Sequence, residues 1–267
     1  MAIHPTAIID ASVELGRDVA IGPYAVIGAG VILRDAVEIG AHAVVMGPTD
    51  VGPGTRIFHH AVIGADPQDK KYGGETSRLV IGENNTFREF STANRGTGIG
   101  NGCTQIGDNN LFMAYTHVAH DCVIGDHCVL VNCASLAGHV HMEDHVIMAG
   151  LSAVHQHTRI GRCAMVAGGA MVVQDIPPFT LAQGDRARLF GLNIVGLRRR
   201  GYKLDTINAL RGAYRELFQQ GLALRVALVQ VREVYTEVPE VQELVEFISK
   251  SKRGVCRSMA AEPAGVE

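Results

Sequence analysis

Hydrophobic side chains recur at every sixth position along most of the first two-thirds of the chain. The first series runs without a break from Ile9 to Ile63, and the position two residues earlier in each repeat holds a small or β-branched side chain. An amphipathic helix repeats every 3.6 residues and a half-buried strand every two, so neither explains this spacing. A six-residue repeat is typical of a β-helix, in which three repeats form one triangular coil and residues three repeats apart stack on the same side.

A second series of apolar positions runs from Ile106 to Val172 at the same spacing. Between the two series the pattern breaks at 64–78, resumes briefly and breaks again at 94–103, after which the register is displaced by one residue. We predict two projecting loops there, which on a rigid scaffold are often functional, with tolerated insertions as the alternative. The sheet is expected to stop at Pro177 and Pro178, because proline lacks the N–H that a ladder requires.

The remaining chain has the apolar spacing of helices. Three helices are predicted, the first along the stripe from Leu204 to Phe218, the second over about 222–235 and the third from Pro239. They would cover the open edge of the last coil, which otherwise invites pairing with other chains. The predicted organisation is a β-helix over 1–187, a helical domain over 188–254 and a disordered tail over 255–267, whose composition offers little to bury.

Composition narrows the class of protein. The 267 residues are 47% hydrophobic and 19% charged, with a formal net charge of −3, which fits a soluble globular protein and gives no basic footprint for a nucleic acid. No apolar run is long enough to span a membrane, and the repeat begins by about Ala7, so we expect no signal peptide and a cytoplasmic protein. The six cysteines show no CxxC spacing and are interpreted as reduced thiols, with a catalytic thiol as the alternative.

Histidines are concentrated in one part of the coil. Residues 115–156 contain seven of the chain's twelve, namely His117, His120, His127, His139, His141, His145 and His155. By the stacking rule His120 lies below Gly138 and Gln156, and His139 and His155 each lie one step from that column. An edge that gathers titratable side chains from successive coils is a candidate site of chemistry.

Several motifs carry a more specific resemblance. Besides the two loops they are the segments 117–121 (HVAHD), 136–140 (LAGHV), 154–156 (VHQ) and 191–201 (GLNIVGLRRRG). In this combination the chain resembles the UDP-N-acetylglucosamine 3-O-acyltransferases, over nearly its whole length up to about Gly254. The resemblance implies an all-β left-handed parallel β-helix with a C-terminal α-helical domain, a homotrimer with active sites between subunits, and the first step of lipid A synthesis.

The implied reaction moves a 3-hydroxyacyl chain from the thioester of acyl carrier protein to the glucosamine 3-hydroxyl of UDP-N-acetylglucosamine, without a cofactor or a metal. A sugar hydroxyl is a weak nucleophile, so a base must take its proton, and an imidazole with an ordinary pKa of about 6.5 suits that task. His120 matches the family's catalytic histidine. Asp121 would orient it, and the backbone N–H of Gly138 would donate to the oxyanion.

Other roles follow from the resemblance position by position. Substrate contacts are implied for Asp69, Lys71, His117, His139, His155, Gln156, Asn193, Arg199 and Arg200. For the arginines, a solvated helix face is the alternative. Gly168 falls where the family limits the depth of the acyl groove, and a glycine there predicts a longer acyl chain. Because acyl carrier protein is acidic, Arg211, Arg215 and neighbouring basic residues are candidates for its docking surface.

Two positions depart from the family pattern, Val195 where an acidic residue is common and Asn94 where a histidine is common. They leave open an acceptor sugar with an amine at the 3-position, which would give an amide.

A β-helix of this kind could also hold zinc with three imidazoles, as in the trimeric β-helical carbonic anhydrases, or serve as a structural protein without activity. The related N-acyltransferases carry an additional N-terminal domain, and the early start of the coils argues against them.

Overall fold

The computed structural model describes residues 2–258. Short strands wrap around one axis as a three-sided coil. In chain order they are β1 (Ala2–Ile3), β2 (Ile8–Ile9), β3 (Glu14–Leu15), β4 (Ala20–Ile21), β5 (Val26–Ile27), β6 (Val31–Leu33), β7 (Glu38–Ile39), β8 (Val44–Val45), β9 (Thr49–Val51), β10 (Arg56–Ile57), β11 (Val62–Ala65), β12 (Arg78–Ile81), β13 (Thr86–Phe87), β14 (Thr92–Asn94), β15 (Cys103–Ile106), β16 (Leu111–Phe112), β17 (His117–Val118), β18 (Val123–Ile124), β19 (Val129–Leu130), β20 (Ser135–Leu136), β21 (His141–Met142), β22 (Ile147–Met148), β23 (Ala153–Val154), β24 (Arg159–Ile160), β25 (Met165–Val166), β26 (Met171–Val172), β27 (Thr180–Gln183) and β28 (Arg188–Leu192).

Three sheets run along the axis. Sheet A contains every third strand from β1 to β25 together with β27 and β28, sheet B every third strand from β2 to β26, and sheet C every third strand from β3 to β24. Apart from β28, the strands pair in parallel with the same side of the next coil. We name the corners by the sheets that they join: AB, BC and CA.

The predicted repeat corresponds to the inward side chains of the coil. Val118, Leu136 and Val154 pair in register in sheet B and are at most 2% exposed. Burial of each such side chain stabilises the fold by roughly 1.5–3 kcal/mol relative to leaving it in water. The small inward position is also filled: Cys122 and Cys128 are fully buried, and burial raises the pKa of each thiol to about 12, so neither is a nucleophile at neutral pH.

Left-handed backbone turns the corners of the coil. Among residues 2–258, eighteen non-glycine residues have φ between 55° and 66°, including residues of every size, so the turn and not the side chain imposes this conformation. Side chains at equivalent corner positions project over one another. At the AB corner they form a continuous column of rings with centroids 5.0–5.1 Å apart: Tyr24, His42, His60, Phe90 and Tyr115.

Both predicted loops leave the coil at the BC corner. The first, 66–77, connects β11 to β12, and the second, 95–102, connects β14 to β15. Each is slightly shorter than the break in the repeat, because the flanking strands continue to Ala65 and Asn94 after the hexapeptide pattern has ended. The two loops therefore project from one edge of the molecule, on neighbouring coils.

The prediction that the sheet stops at the two prolines is wrong. After them β27 pairs in parallel with β25, and β28 then folds back antiparallel to β27. Pro177 and Pro178 come before the corner residue Phe179, where no ladder N–H is needed, and Ile176 still forms a bridge with Ile160. The sheet consequently extends beyond residue 187, into the segment predicted to be helical.

In the described chain, which ends at residue 258, four helices follow β28: α1 (Ile194–Arg199), α2 (Leu204–Phe218), α3 (Leu224–Val234) and α4 (Pro239–Ser249). The last three correspond to the predicted helices, whereas α1 is too short to show a period in the sequence. Their buried faces form one hydrophobic cluster with Phe179 and Cys163 of the last coils. Within residues 2–258, no helix combines the length and apolarity needed to cross a membrane.

The chain continues in ordered contacts past the predicted start of the tail. Val255 forms a bridge with Asp175, Ser258 one with Leu189, and Cys256 is 1% exposed. The prediction of disorder from residue 255 is therefore wrong for 255–258, because Cys256 joins the main hydrophobic core. The rest of that predicted tail lies outside the described residues.

Candidate active site

The BC corner brings together histidines from successive coils. His120, His139 and His157 follow strands of sheet B, and the N–H of His139 donates to the carbonyl of His120 at 3.0 Å. The rings of His120 and His139 meet edge to face with centroids 5.1 Å apart, and those of His139 and His157 stack at 4.4 Å. The corner therefore builds a column of three imidazoles.

Among the three imidazoles of this column, His120 lies closest to a carboxylate. Its side chain is 11% exposed, and its Nδ1 lies 2.9 Å from Oδ2 of Asp121. Because a carboxylate only accepts hydrogen bonds, Nδ1 carries the proton and donates it. Nε2 then keeps its lone pair, with Oδ2 of Asp69 at 4.0 Å. This is the tautomer that a general base requires.

Asp121 is held by a residue of the second loop. The N–H of Thr97 lies 3.1 Å from both carboxylate oxygens, and the Thr97 hydroxyl donates to Oδ2 at 2.7 Å. The N–H of Asp121 donates to the hydroxyl of Thr104 at 2.8 Å. Burial by itself raises the pKa of Asp121, but hydrogen bonds from Thr97 and His120 outweigh it and hold the pKa below its ordinary value. The carboxylate beside His120 is therefore ionised and fixed in position.

Gly138 lies against the ring of His120. A Cβ at this position would approach Cε1 at 2.6 Å and Nε2 at 2.7 Å, which is closer than van der Waals contact allows. Within residues 2–258 the N–H of Gly138 makes no backbone hydrogen bond, whereas its carbonyl accepts from the N–H of His157. The close approach requires glycine here, and its N–H remains available as a donor beside the base.

A cavity of about 450 Å³ opens over the column. Its lining combines the BC corner with both loops: Asp69, Lys71, Ile99, Gly100, Asn101, His120, His139, Gln156 and His157. The structure thus brings Asp69, Lys71 and Gln156 to the cavity of His120. A larger cavity, of about 760 Å³, lies along sheet A of the first coils, and none of the predicted site residues lines it.

Buried polar contacts fix the loops over this cavity. Arg95, which is 8% exposed, pairs with the carboxylate of Asp66 and reaches the hydroxyl of Tyr72 in the first loop. The carboxylate of Glu75 accepts from the N–H of Gly98 in the second loop at 2.9 Å. The two loops are therefore attached to each other as well as to the coil.

The two positions that depart from the family pattern differ in location. Asn94 is 3% exposed, and its Nδ2 donates to the carbonyls of Ala65 and Asp66 at 3.3 and 2.8 Å, so it anchors the start of the first loop. Val195 is 61% exposed in α1 and does not line the cavity. Of the two, only Asn94 supports the loop that carries Asp69 and Lys71.

Within the described part of the chain, one group of residues is spaced to hold a metal ion: His120, Asp121 and His139, whose ligand atoms lie within 4.8 Å of one another. It offers two imidazoles and a carboxylate, whereas the zinc site considered from the sequence requires three imidazoles. Oδ2 of Asp121 already accepts a hydrogen bond from Thr97 and lies 2.9 Å from His120, compared with 3.9 Å from Nε2 of His139. These contacts direct the carboxylate to His120 as its partner.

Two predicted histidines lie outside the lining of the cavity. His117 is on the outer face of sheet B, with Nδ1 2.7 Å from the hydroxyl of Thr92. His155 lies one residue before Gln156 of the cavity lining, and its Nδ1 is 2.9 Å from the guanidinium of Arg253; the ring that stacks on His139 is that of His157. His157 follows His139 by one full coil, so the stacking rule applied from His139 identifies it.

The implied nucleotide contacts lie at a different corner. Asn193 is 7% exposed; its side chain caps α1 and donates to the carbonyl of Cys163 at 3.0 Å. Arg200 contacts the ring and the carbonyl of His145 at 2.9 and 3.3 Å, and Arg199 is exposed in the same helix. Cys163 and His145 both belong to the CA corner. Within one chain these residues are therefore separated from the cavity of the BC corner.

Gly168 lies at the third corner, AB. A Cβ there would meet only the carbonyl of Gly150, at an ordinary contact distance of 3.5 Å. A side chain at this position would therefore project into open space, where the present glycine leaves room. The predicted site residues are thus distributed over all three corners of the coil.

Comparisons with known proteins show which proteins this chain is similar to. A family model described as "Udp N-acetylglucosamine O-acyltransferase; Domain 2" matches residues 175–256, and the bacterial transferase hexapeptide model matches residues 103–138. Acyl-(acyl-carrier-protein)–UDP-N-acetylglucosamine O-acyltransferases from Burkholderia lata and Myxococcus xanthus are each 51% identical to this chain, over 96% of it and 99% of the relative.

Solved structures show the same fold. UDP-N-acetylglucosamine acyltransferases from Francisella novicida and Campylobacter jejuni have TM-scores of 0.94 and 0.91 with this chain at 34% and 40% identity, and cover 99% and 96% of it and 99% and 100% of their own chains. The predicted left-handed parallel β-helix with a C-terminal helical region is confirmed. The chain belongs to the acyl-(acyl-carrier-protein)–UDP-N-acetylglucosamine O-acyltransferase family.

Proposed function

We propose that this protein transfers a 3-hydroxyacyl group from acyl carrier protein to the glucosamine 3-hydroxyl of UDP-N-acetylglucosamine, the first step of lipid A synthesis. Relatives that align with nearly the whole chain are named for acyl transfer between these two substrates. The observation that carries the proposal is the position of His120: its Nδ1 is hydrogen-bonded to the carboxylate of Asp121, and its side chain lines the cavity between the loops.

His120 acts as the general base. The sugar hydroxyl gives its proton to Nε2 while its oxygen attacks the thioester carbonyl, and the new C–O bond produces a tetrahedral intermediate. Collapse of the intermediate breaks the C–S bond, and the imidazolium returns the proton to the departing thiolate, which leaves as the carrier thiol. The ionised Asp121 stabilises the imidazolium throughout.

The Gly138 N–H stabilises the intermediate. The tetrahedral oxyanion needs a donor close to the base, and Gly138 lies one coil above His120 in direct contact with its ring. A fixed donor of this kind contributes about 10²–10³-fold to kcat. Base and donor are held by two adjacent turns of one rigid corner, so their separation does not change during the reaction.

The sugar nucleotide is held from both sides of the cavity. Asp69 and Lys71 approach it from the first loop, and His139 and Gln156 from the coil. Asn193, Arg199 and Arg200 belong to the CA corner and reach the same nucleotide only from another subunit. Arginine suits a diphosphate because its planar fork binds two oxygens. This separation supports a homotrimer in which the BC corner of one subunit faces the CA corner of the next.

The test is acyl transfer from 3-hydroxyacyl carrier proteins of several chain lengths to UDP-N-acetylglucosamine, by the native protein and by His120→Ala. General acid–base catalysis contributes about 10²–10⁴-fold, so we expect the variant to lose at least about 10²-fold in kcat. His4→Ala removes an exposed histidine of the first coil and is the matched control, with activity unchanged.

Three outcomes would change this assignment. If the native protein gives no product with any chain length, the proposed substrates are wrong, and the 3-amino sugar is tested next. If His120→Ala keeps the native rate, the base is another residue. A preference for the shortest acyl chains would contradict the role inferred for Gly168, which leaves the groove open.

A further inference from the structure

A strongly basic groove lies on the last coils, apart from the residues proposed for catalysis and nucleotide binding. It consists of two adjoining cavities, of about 620 and 500 Å³, that share Arg253. The cationic residues that line them are Arg159, Arg186, Arg188, Lys250, Lys252, Arg253 and Arg257. The whole chain has a formal charge of −3, so this concentration of positive charge is a local property of the basic groove.

Acids partner only some of the cations in the basic groove, and the guanidinium of Arg159 lies 3.5 Å from the carboxylate of Glu143. Asp175, the one acidic lining residue of the groove, is 1% exposed, and its two oxygens accept from the N–H of Arg159 and the hydroxyl of Ser251. Glu246 pairs with Lys250 at the surface. Across residues 2–258, Lys252 has no acidic partner.

Arg186, Arg188 and Arg257 likewise form no ion pair with any described acid. Their cavity is lined otherwise by Val173, Gln174 and Ala187, which carry no charge. Uncompensated cations that converge on a concave surface favour an anionic ligand, because each contact replaces solvent with a charge-assisted hydrogen bond.

The basic groove adjoins the active-site cavity. His157 lines both the cavity of His120 and the larger cavity of the groove. His157 lies two coils above His120, which corresponds to about 10 Å along the axis at the usual spacing of strands. A flexible arm anchored in the basic groove therefore has only a short distance to span before its end reaches the base.

We propose that the basic groove binds the phosphodiester of the phosphopantetheine arm of acyl carrier protein, with the acidic surface of the carrier against its rim. The inference rests on the proposed function, which requires a thioester on that arm to reach His120. The phosphate lies beside Lys252 and Arg253, and the pantetheine follows the BC corner past His157 to the cavity.

This placement differs from the docking surface around Arg211 and Arg215 that charge alone predicts. Those two arginines are exposed on α2, and neither lines the cavity of His120 or the basic groove. Arg211 donates to Asn208 within the same helix. They provide a matched comparison, because a double substitution there removes the same charge from the same protein.

The experiment compares Lys252→Gln/Arg253→Gln with Arg211→Gln/Arg215→Gln at saturating UDP-N-acetylglucosamine. The acyl donors are acyl carrier protein, acyl-phosphopantetheine and acyl-pantetheine, which lacks the phosphate. We expect the first variant to raise KM about tenfold for the two phosphorylated donors, with acyl-pantetheine unaffected, since loss of a charge-assisted contact weakens binding by about that factor. The α2 variant keeps the native KM for all three.

Arg253 also donates to the carbonyl of Val173 at 2.7 Å, so a second variant, Lys252→Gln/Arg257→Gln, keeps that bond and excludes a folding effect. The proposal is overturned if both groove variants keep the native KM for acyl carrier protein, if acyl-pantetheine is impaired equally, or if the KM for UDP-N-acetylglucosamine rises instead. Absence of transfer by the native protein would reject the proposed function itself, which separates the two failures.

Discussion

At the scale of single residues, the hydroxyl of Thr97 holds the carboxylate of Asp121 in position beside the imidazole of His120. It donates to Oδ2 of Asp121, the same oxygen that lies beside Nδ1 of His120. We predict that Thr97→Val, which removes only this hydroxyl, lowers kcat about tenfold and leaves KM within about twofold, because a buried hydrogen bond to a charged group contributes about 1.5–3 kcal/mol. Steady-state kinetics measure both parameters.

Thr97→Ser is the matched control, since it retains the hydroxyl and is expected to keep most of the native kcat. Equal losses in the valine and serine variants would show that the hydroxyl has no part in positioning Asp121. A loss confined to KM would likewise contradict the prediction, because it would place Thr97 in substrate binding.

What the sequence reveals at this scale depends on register. His120 and Gly138 can be identified from the sequence because they lie one whole coil apart, and Asp121 because it follows His120 directly. All three also belong to motifs that resemble those of a known family. The same rule identifies His157 once it is started from His139. Thr97 is not predictable, since it lies in a loop without a repeat, and the contact with Asp121 exists only after the second loop folds back over the corner.

At the scale of elements, the two loops act as one unit because Glu75 joins them. Its carboxylate accepts from the N–H groups of Gly98 and Gly73 at 2.9 and 2.8 Å, and these bonds lower the pKa of Glu75. We predict that Glu75→Ala accelerates hydrogen exchange in 66–77 and 95–102 and raises the KM for UDP-N-acetylglucosamine several-fold, because Asp69 and Lys71 lose their support. Exchange measured by mass spectrometry tests this directly.

Glu83→Ala, in an exposed turn of the coil, is the control and should leave both loops unchanged. Faster exchange in the first loop alone would show that Glu75 does not couple the two segments, and an unchanged KM would separate loop order from substrate binding.

The elements themselves are predictable where the sequence is periodic. The repeat identifies the strands, and the apolar stripes identify α2, α3 and α4. The strands β27 and β28 escape prediction because two adjacent prolines usually end a sheet, whereas here they occupy a corner where no ladder N–H is lost. Helix α1 spans only six residues, and its cap, Asn193, depends on the carbonyl of Cys163 from the coil.

At the scale of the whole molecule, the division of the site between two corners makes a prediction about assembly. His120→Ala and Arg199→Ala/Arg200→Ala should each be inactive alone. After they are unfolded and refolded together in equal amounts, about one quarter of the native activity should return, because random assembly pairs an intact BC corner with an intact CA corner in that fraction of sites.

Mixing the same two variants after separate refolding is the control and should restore nothing until subunits exchange. If co-refolded protein remains inactive while its mass by light scattering corresponds to three chains, the site lies within one subunit, and the proposed arrangement is wrong.

Partly buried histidines also predict how the stability of the whole molecule varies with pH. Partial burial lowers the pKa of His117, His139 and His145 in the folded protein. Below the unfolded value of about 6.5, the unfolded chain binds more protons than the folded one, so stability is complete above that pH and decreases as the pH falls through the folded values.

We therefore expect the thermal midpoint to decrease from about pH 6.5 downward, with His117→Gln showing a smaller decrease because one of the three groups is removed. Calorimetry between pH 8 and pH 5 measures it. A midpoint that stays constant or rises over this interval would contradict the assignment of these imidazoles as neutral in the folded state.

The ring column at the AB corner shows how tolerant this architecture is of change in its length. The ring centroids of His60 and Phe90 are 5.1 Å apart, and those of Phe90 and Tyr115 are 5.0 Å apart. In each interval one of the two loops leaves the coil at the BC corner without changing this spacing. Extra residues at one corner thus leave the stack at another undisturbed. The fold changes in length by whole coils, so tandem duplication of one coil would move the basic groove by about 4.8 Å relative to His120. Distances between sites on such a fold therefore take discrete values, which change by one coil at a time.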